Sequence, residues 1–75
     1  MRSEYDPKSG CWYLYLQDIP DGGVAYSKEA TGAIILDFDS DDKLIGIEVL
    51  DAPLTLSSTA IFEADTLRPM SRKKR

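Results

Sequence analysis

The chain has 75 residues, a formal net charge of −4, one cysteine and no histidine. A chain this short can bury only one small hydrophobic core, and a single cysteine excludes an internal disulfide bond. The same composition excludes a zinc site built from cysteine and histidine ligands. Oligomerisation is therefore the favoured additional source of stability for a domain of this size.

Charge is distributed unevenly along the chain. Residues 1–67 contain 13 acidic and 4 basic residues, whereas residues 68–75 contain 5 basic residues and no acidic residue. We expect residues 1–67 to form the single domain and residues 68–75 to be a disordered basic tail, because the tail has almost nothing to bury. The acidic body repels phosphate, which disfavours a nucleic-acid partner.

The sequence shows neither a secretory signal pattern nor a membrane-spanning apolar run, so we expect a cytoplasmic protein without a membrane contact.

Closely spaced turn residues predict short β-strands in the first part of the chain. Residues 2–5 can form a first strand, and the residues that follow it, from Asp6 to Gly10, are typical of a turn. The next segment, CWYLYL at 11–16, has the aromatic and aliphatic composition of a strand. Because side chains alternate between the two faces of a strand, Trp12, Leu14 and Leu16 share one face, and Cys11, Tyr13 and Tyr15 share the other.

A β-hairpin that ends in an acidic turn is the strongest prediction in the chain. Residues 24–29 predict a weaker strand, and residues 33–38 predict the first strand of this hairpin. With the turn centred on 40–41, Leu36 lies opposite Ile45, and every other pair follows from that register. The register forms one continuous apolar face, composed of Ile34, Leu36, Phe38, Ile45, Ile47 and Val49.

The segment DFDSDDKLIGIE at 37–48 has acidic residues at four ligand positions of an EF-hand calcium loop. In the predicted hairpin, however, Asp42 and Glu48 lie about 20 Å apart at ~3.3 Å per residue. Calcium ligands lie within about 2.6 Å of one ion, so Glu48 cannot join the aspartates. Asp42 also stands where the calcium loop requires glycine. We therefore predict no metal site and no cofactor.

After Pro53 the periodic pattern weakens. Ser57 can cap a short helix, and the segment AIFEADTL at 60–67 places Ile61 and Ala64 on one helical side. A helix of about two turns is not stable alone, so it must pack on the sheet or on a partner. The predicted fold is mainly β: an antiparallel four- or five-stranded meander sheet with a short C-terminal helix or arm.

Two carboxylates lie on the second face of the sheet, which is the face opposite the apolar one. They are the candidate acid or base residues. Glu48 lies in the middle of a strong strand, so covering that face would make it a candidate catalytic group. Asp37 shares the face, but the predicted register places the two carboxylates ~13 Å apart at ~3.3 Å per residue, too far for a catalytic pair. A solvated or ion-paired Glu48 is the alternative interpretation.

The second face also carries side chains that suit an interface between proteins. They are Tyr13, Tyr15, Ile35 and Leu44, together with Gly46. A single-layer sheet cannot leave two apolar-leaning faces in water. The C-terminal segment can cover one face, and the other requires a second copy or another protein. Tyrosine combines a large apolar body with a polar tip, which favours an interface, and we predict a homodimer.

Three segments of the chain resemble one family of small prokaryotic proteins. They are YDP at 5–7, CWYLYL at 11–16 and ILDFDSDDKLIGIEVLDA at 35–52. The family is the domain-of-unknown-function family 2283. The resemblance implies a small antiparallel β-sheet protein and implies no established activity or cofactor. Some members look like partners of small toxin-like proteins in paired genes, which implies a possible antitoxin-like role.

Two functions are compatible with these features. The first is a non-enzymatic, homodimeric protein-binding or regulatory protein, antitoxin-like, whose acidic turn at Asp39, Asp41 and Asp42 steers a basic protein partner. The alternative is a small enzyme with a ligand pocket at the dimer seam and Glu48 or Asp37 as its acid or base. A deep pocket around a carboxylate favours the enzyme, whereas an exposed acidic patch favours the binding protein.

Overall fold

The computed structural model of the protein describes residues 1–67, and the predicted basic tail at 68–75 lies outside the described residues. The described chain forms six strands and two short helices. The strands are β1 (Arg2–Asp6), β2 (Cys11–Tyr15), β3 (Tyr26–Thr31), β4 (Ile34–Phe38), β5 (Leu44–Val49) and β6 (Asp65–Thr66), and the helices are α1 (Ala52–Thr55) and α2 (Ser58–Glu63).

The six strands form one sheet in the order β3-β4-β5-β2-β1-β6. All neighbouring strands are antiparallel except β1 and β6, which are parallel. The predicted mainly β, antiparallel fold is confirmed, and the sheet has six strands where the sequence predicts four or five. The order departs from a simple meander, because β5 and not β3 lies beside β2. Strands β2 to β5 thus have a Greek-key connection.

The connection between β2 and β3 is long enough to reach the far edge of the sheet. It contains a tight turn in which the N–H of Gly23 donates to the carbonyl of Pro20 at 2.8 Å. Gly22 has φ of +76° at the third position of this turn, where a left-handed conformation favours glycine. The turn folds the connection over the sheet, so that β3 can pair with β4 and not with β2.

The register of the β4–β5 hairpin differs from the predicted one by two residues. Leu36 lies opposite Ile47 rather than Ile45, and Ile34 lies opposite Val49. One residue of the difference comes from a three-residue turn, in which Asp42 adopts φ of +63°. The other comes from a β-bulge in which residues 44 and 45 both oppose Phe38. A total shift of two residues leaves each side chain on its predicted face of the sheet. The predicted apolar face is therefore retained, although the predicted cross-strand partners are wrong.

The C-terminal segment leads from β5 to the outer edge of β1. Helix α2 begins one residue after Ser57, whose hydroxyl accepts from the N–H of Ala60 at 3.2 Å, as the sequence predicts for a helix cap. The helix ends at Glu63, shorter than the predicted one, because the following residues extend to pair with β1.

The buried apolar residues of the described chain are Ile45, Val49, Ala52 and Ala64. No helix within residues 1–67 is long and apolar enough to cross a membrane.

Candidate functional site

A buried carboxylate on β4 is the centre of the polar network on the second face of the sheet. Asp37 is only 8% exposed. The hydroxyl of Tyr13 donates to its Oδ2 at 2.6 Å, and the hydroxyl of Ser27 donates to its Oδ1 at 2.5 Å. Both carboxylate oxygens therefore accept a charge-assisted hydrogen bond, which is what allows a carboxylate to be buried.

Three strands besides that of Asp37 build this network. Ser27 on β3 lies directly opposite Asp37, so its short side chain reaches one carboxylate oxygen. Gly46 on β5 is the partner of Asp37 on the other side. Tyr13 lies on β2, one strand further, and its side chain passes over Gly46. A Cβ atom at Gly46 would overlap the Tyr13 hydroxyl, so the hydrogen bond to Asp37 requires glycine there.

Tyr13 and Tyr15 project side by side from β2, and their ring centroids lie 4.7 Å apart in an edge-to-face arrangement. Burial raises the pKa of the Tyr13 phenol well above its ordinary value, and the hydrogen bond to Asp37 raises it further. Burial also raises the pKa of Tyr15, and its hydrogen bond to Glu4, at 2.9 Å, acts in the same direction. Both phenols are therefore neutral hydrogen-bond donors at neutral pH.

An open cleft of about 370 Å³ lies above these two tyrosines. Its floor consists of Tyr13, Tyr15 and Asp37, and its wall is the β2–β3 connection from Ile19 to Val24. The Greek-key order explains the cleft, because the connection must pass over the sheet to reach the far edge. At the neighbouring position of β1, the Arg2 guanidinium lies 3.9 Å from the centroid of the Tyr15 ring.

The two candidate acid or base residues are closer together than predicted but have different environments. The corrected register puts Asp37 opposite Gly46, two residues from Glu48, so that the offset along the strand is ~7 Å at ~3.3 Å per residue and not ~13 Å. Glu48 lies half-buried between Tyr13 and Ile35. Its side chain makes no hydrogen bond or ion pair within residues 1–67, and it does not line the cleft.

The predicted partner-binding residues fall into four places. Tyr13 and Tyr15 meet at the cleft, whereas Ile35 lies on β4 opposite Glu48 and outside the cleft lining. Leu44 lies at the bulge opposite Phe38 and is 38% exposed.

The fourth place is the acidic turn between β4 and β5, which contains Asp39, Asp41 and Asp42. The Oδ1 atom of Asp39 accepts from the backbone N–H groups of Asp41 and Lys43, at 2.8 and 3.0 Å. The Tyr26 hydroxyl donates to Asp42 at 2.7 Å. Asp41 and Asp42 are exposed, and the turn holds them in fixed positions.

Within residues 1–67, no three histidine, cysteine or acidic side chains have an arrangement that could hold a metal ion.

Sequence reasoning missed Ser27 and the wall of the cleft. Ser27 lies in the weakest of the predicted strands, where only its position opposite Asp37 reveals its role. The sequence Pro20-Asp21-Gly22-Gly23 indicates the turn in the wall, but the place of this turn over the sheet depends on the strand order. That order is a long-range property that local turn residues do not determine.

Comparison with known proteins identifies one family. The family model described as Protein of unknown function (DUF2283) matches residues 2–52, which include β1 to β5 and the floor and wall of the cleft. No curated protein matches the chain, and no solved structure matches it. Because the matched region covers more than half of the chain, the protein belongs to the DUF2283 family of proteins of unknown function.

Proposed function

We propose that the protein is a non-enzymatic, homodimeric regulator that binds a basic protein partner, as an antitoxin does. The observation that carries this proposal is the state of Asp37. Its two oxygens already accept hydrogen bonds from Tyr13 and Ser27. These two hydrogen bonds hold the carboxylate in one orientation, which suits binding better than catalysis.

The distribution of charge supports the same proposal. Residues 1–67 contain 13 acidic and 4 basic side chains, and Arg2–Glu4 is the one ion pair within this part of the chain. Most of the acidic side chains are therefore available to attract a basic surface. The acidic turn projects Asp41 and Asp42 from a fixed backbone, so complementary charge would guide the partner and orient it.

The sequence predicts the homodimer through the second face, and we propose it instead through the apolar face of the sheet. Leu14, Leu36 and Ile47 remain half-buried on this face. Burial of these side chains would stabilise the pair at ~25 cal/mol per Å² of apolar surface, which a small core needs.

The alternative, a small enzyme at a dimer seam, has weaker support. A catalytic base must reach a substrate proton directly, yet Asp37 is only 8% exposed and both of its oxygens accept hydrogen bonds from Tyr13 and Ser27. Glu48 is unengaged in the described chain but lies outside the cleft lining. The Tyr13 phenol lies beside Asp37, but burial raises the pKa of this phenol well above its ordinary value, which makes it a weak proton donor for catalysis.

The dimer is tested by the mass of the purified chain in solution. Light scattering coupled to gel filtration should give twice the chain mass of 8.4 kDa. A monomer at micromolar concentration would contradict the dimer.

Partner binding is tested with the product of the adjacent gene, if that product is basic, by measuring the association rate at two salt concentrations. The rate should fall as salt rises, and Asp41→Asn should lower it more than Glu63→Gln, which removes the same charge on α2. The absence of any complex with that product would overturn the regulatory role.

A further inference from the structure

The cleft has an uneven chemical lining that selects for one class of ligand. Its side-chain polar groups are the phenols of Tyr13 and Tyr15 and the carboxylates of Asp21 and Asp37. None of the residues within 1–67 that line it is basic. Ile19, Pro20 and Val24 supply an apolar wall. Aromatic rings beside carboxylates favour a ligand that is flat, apolar on its faces and positively charged.

The protein already binds such a group next to the cleft. The guanidinium of Arg2 lies 3.9 Å from the centroid of the Tyr15 ring and pairs with Glu4 at 2.6 Å. The hydroxyl of Tyr15 donates to the other oxygen of Glu4 at 2.9 Å. One tyrosine and one carboxylate thus form a guanidinium site within the chain. Tyr13 and Asp37 repeat this combination two positions along β2, with their hydroxyl–carboxylate bond at 2.6 Å. Among residues 1–67, no cationic side chain lies over the Tyr13 ring.

We propose that the cleft receives an arginine side chain of the basic partner protein. The guanidinium lies against the tyrosine rings and donates to the carboxylate of Asp21, which is exposed on the wall. Asp37 adds a fixed negative charge beneath it and retains unused lone pairs, because a carboxylate offers about four acceptor sites and two are occupied.

Arginine fits this site better than lysine does. The planar guanidinium stacks on an aromatic ring and forms paired hydrogen bonds with a carboxylate, while an ammonium is compact and more strongly hydrated. The volume of about 370 Å³ accommodates a long side chain together with part of the backbone that carries it. This inference rests on the proposed function, because it assigns the place where the basic partner inserts a side chain.

The test uses three capped peptides of equal length: hexa-arginine, hexa-citrulline and hexa-lysine. Citrulline keeps the shape of arginine without its charge, and lysine keeps the charge without the planar group. Each is titrated into the ¹⁵N-labelled chain while amide resonances are followed. Hexa-arginine should shift Gly22, Gly23 and Val24 and should bind severalfold more tightly than hexa-lysine, whereas hexa-citrulline should leave these resonances unchanged.

Matched charge variants locate the binding site. Asp21→Asn keeps a residue that suits the turn, and it should weaken hexa-arginine binding about fivefold through loss of a charge-assisted hydrogen bond. Glu63→Gln removes the same charge on α2 and should leave binding nearly unchanged. Thermal melting of both variants confirms that the fold is retained.

Equal binding of the arginine and lysine peptides, equal weakening by the two variants, or shifts confined to residues outside the cleft would each overturn the arginine site. The proposed function fails separately. A basic partner that binds through the acidic turn while hexa-arginine leaves the cleft unchanged would remove this inference and keep the regulatory role.

Discussion

The two faces of the sheet solve the problem of burial in opposite ways. On the second face, which carries Tyr13 and Tyr15 and is the tyrosine face, Asp37 is only 8% exposed. Its carboxylate oxygens accept hydrogen bonds from hydroxyls on two other strands. On the apolar face, side chains are buried by packing against one another. Ile45 and Val49 are the largest fully buried side chains of the described chain. There the indole N–H of Trp12 is buried without a hydrogen-bond partner in residues 1–67.

The contrast teaches how specificity and stability are divided in a small sheet. Apolar packing is non-directional, so the apolar face tolerates a change of cross-strand neighbours as long as alternation is kept. Hydrogen bonds require fixed distances and angles, so the tyrosine face depends on one register and on one glycine. We therefore expect the apolar face to carry most of the stability and the tyrosine face to carry the selectivity for a ligand.

Leu36→Asp should have the largest effect, because it places a charge in the middle of the apolar face opposite Ile47. We expect a loss of about 3 kcal/mol or more, which is enough to unfold much of a marginally stable domain. Leu54→Asp is the matched control, since Leu54 is 85% exposed, and it should change the urea midpoint little. Equal midpoints for the two variants would show that the apolar face does not hold the sheet.

Gly46→Ala should be the most damaging change on the tyrosine face. The added methyl group overlaps the Tyr13 side chain and displaces it from Asp37. We expect a cost of about 1–3 kcal/mol from overpacking, together with a lost hydrogen bond. Gly32→Ala is the control, because a Cβ at Gly32 has no heavy atom within 4 Å and needs no left-handed backbone. Similar melting temperatures for the two alanine variants would contradict the packing of Tyr13 over Gly46.

These glycine and leucine positions also show how much the sequence alone can predict. Alternation predicts correctly that Leu36 and Ile47 share the apolar face, because the period of a strand survives a shift of two residues. It cannot predict that Gly46 lies opposite Asp37. That pairing depends on the left-handed Asp42 and on the bulge at residues 44 and 45, neither of which has a glycine to indicate it.

The cleft was beyond prediction for a different reason. Tyr13 and Tyr15 are recognisable as neighbours on one strand face, and Pro20 to Gly23 are recognisable as a turn. Their contact, however, follows from the Greek-key order, in which the connection passes over β5 and β4. Local signals specify the pieces, while the order of strands is decided by packing over the whole sheet.

Tyr13→Phe should have a smaller effect than Gly46→Ala, because it removes one hydrogen bond and leaves the ring in place. Asp37 then loses one of its two hydrogen-bond donors in a buried position, and we expect a cost of about 1–2 kcal/mol. Tyr26→Phe is the control, since it removes a similar bond, to Asp42, at an exposed site. A larger loss of unfolding free energy for Tyr26→Phe would show that burial of Asp37 does not govern the network.

The smallest effect, and the sharpest one for the tyrosine face, is the dependence of the Tyr13→Phe difference on pH. Burial and the bond to Asp37 raise the pKa of Tyr13 in the folded protein above the ordinary value of 10.0. The folded state therefore holds the phenolic proton more tightly, so this contribution is complete below pH 10 and is lost as pH rises towards the folded pKa. The difference in unfolding free energy between wild type and Tyr13→Phe should narrow above pH 10. Tyr15 and Tyr26 are present in both proteins, so the part of their titration that is independent of Tyr13 cancels in the difference. A gap that stays constant or widens in urea unfolding between pH 9 and 11 would mean that the neutral phenol of Tyr13 does not stabilise the fold.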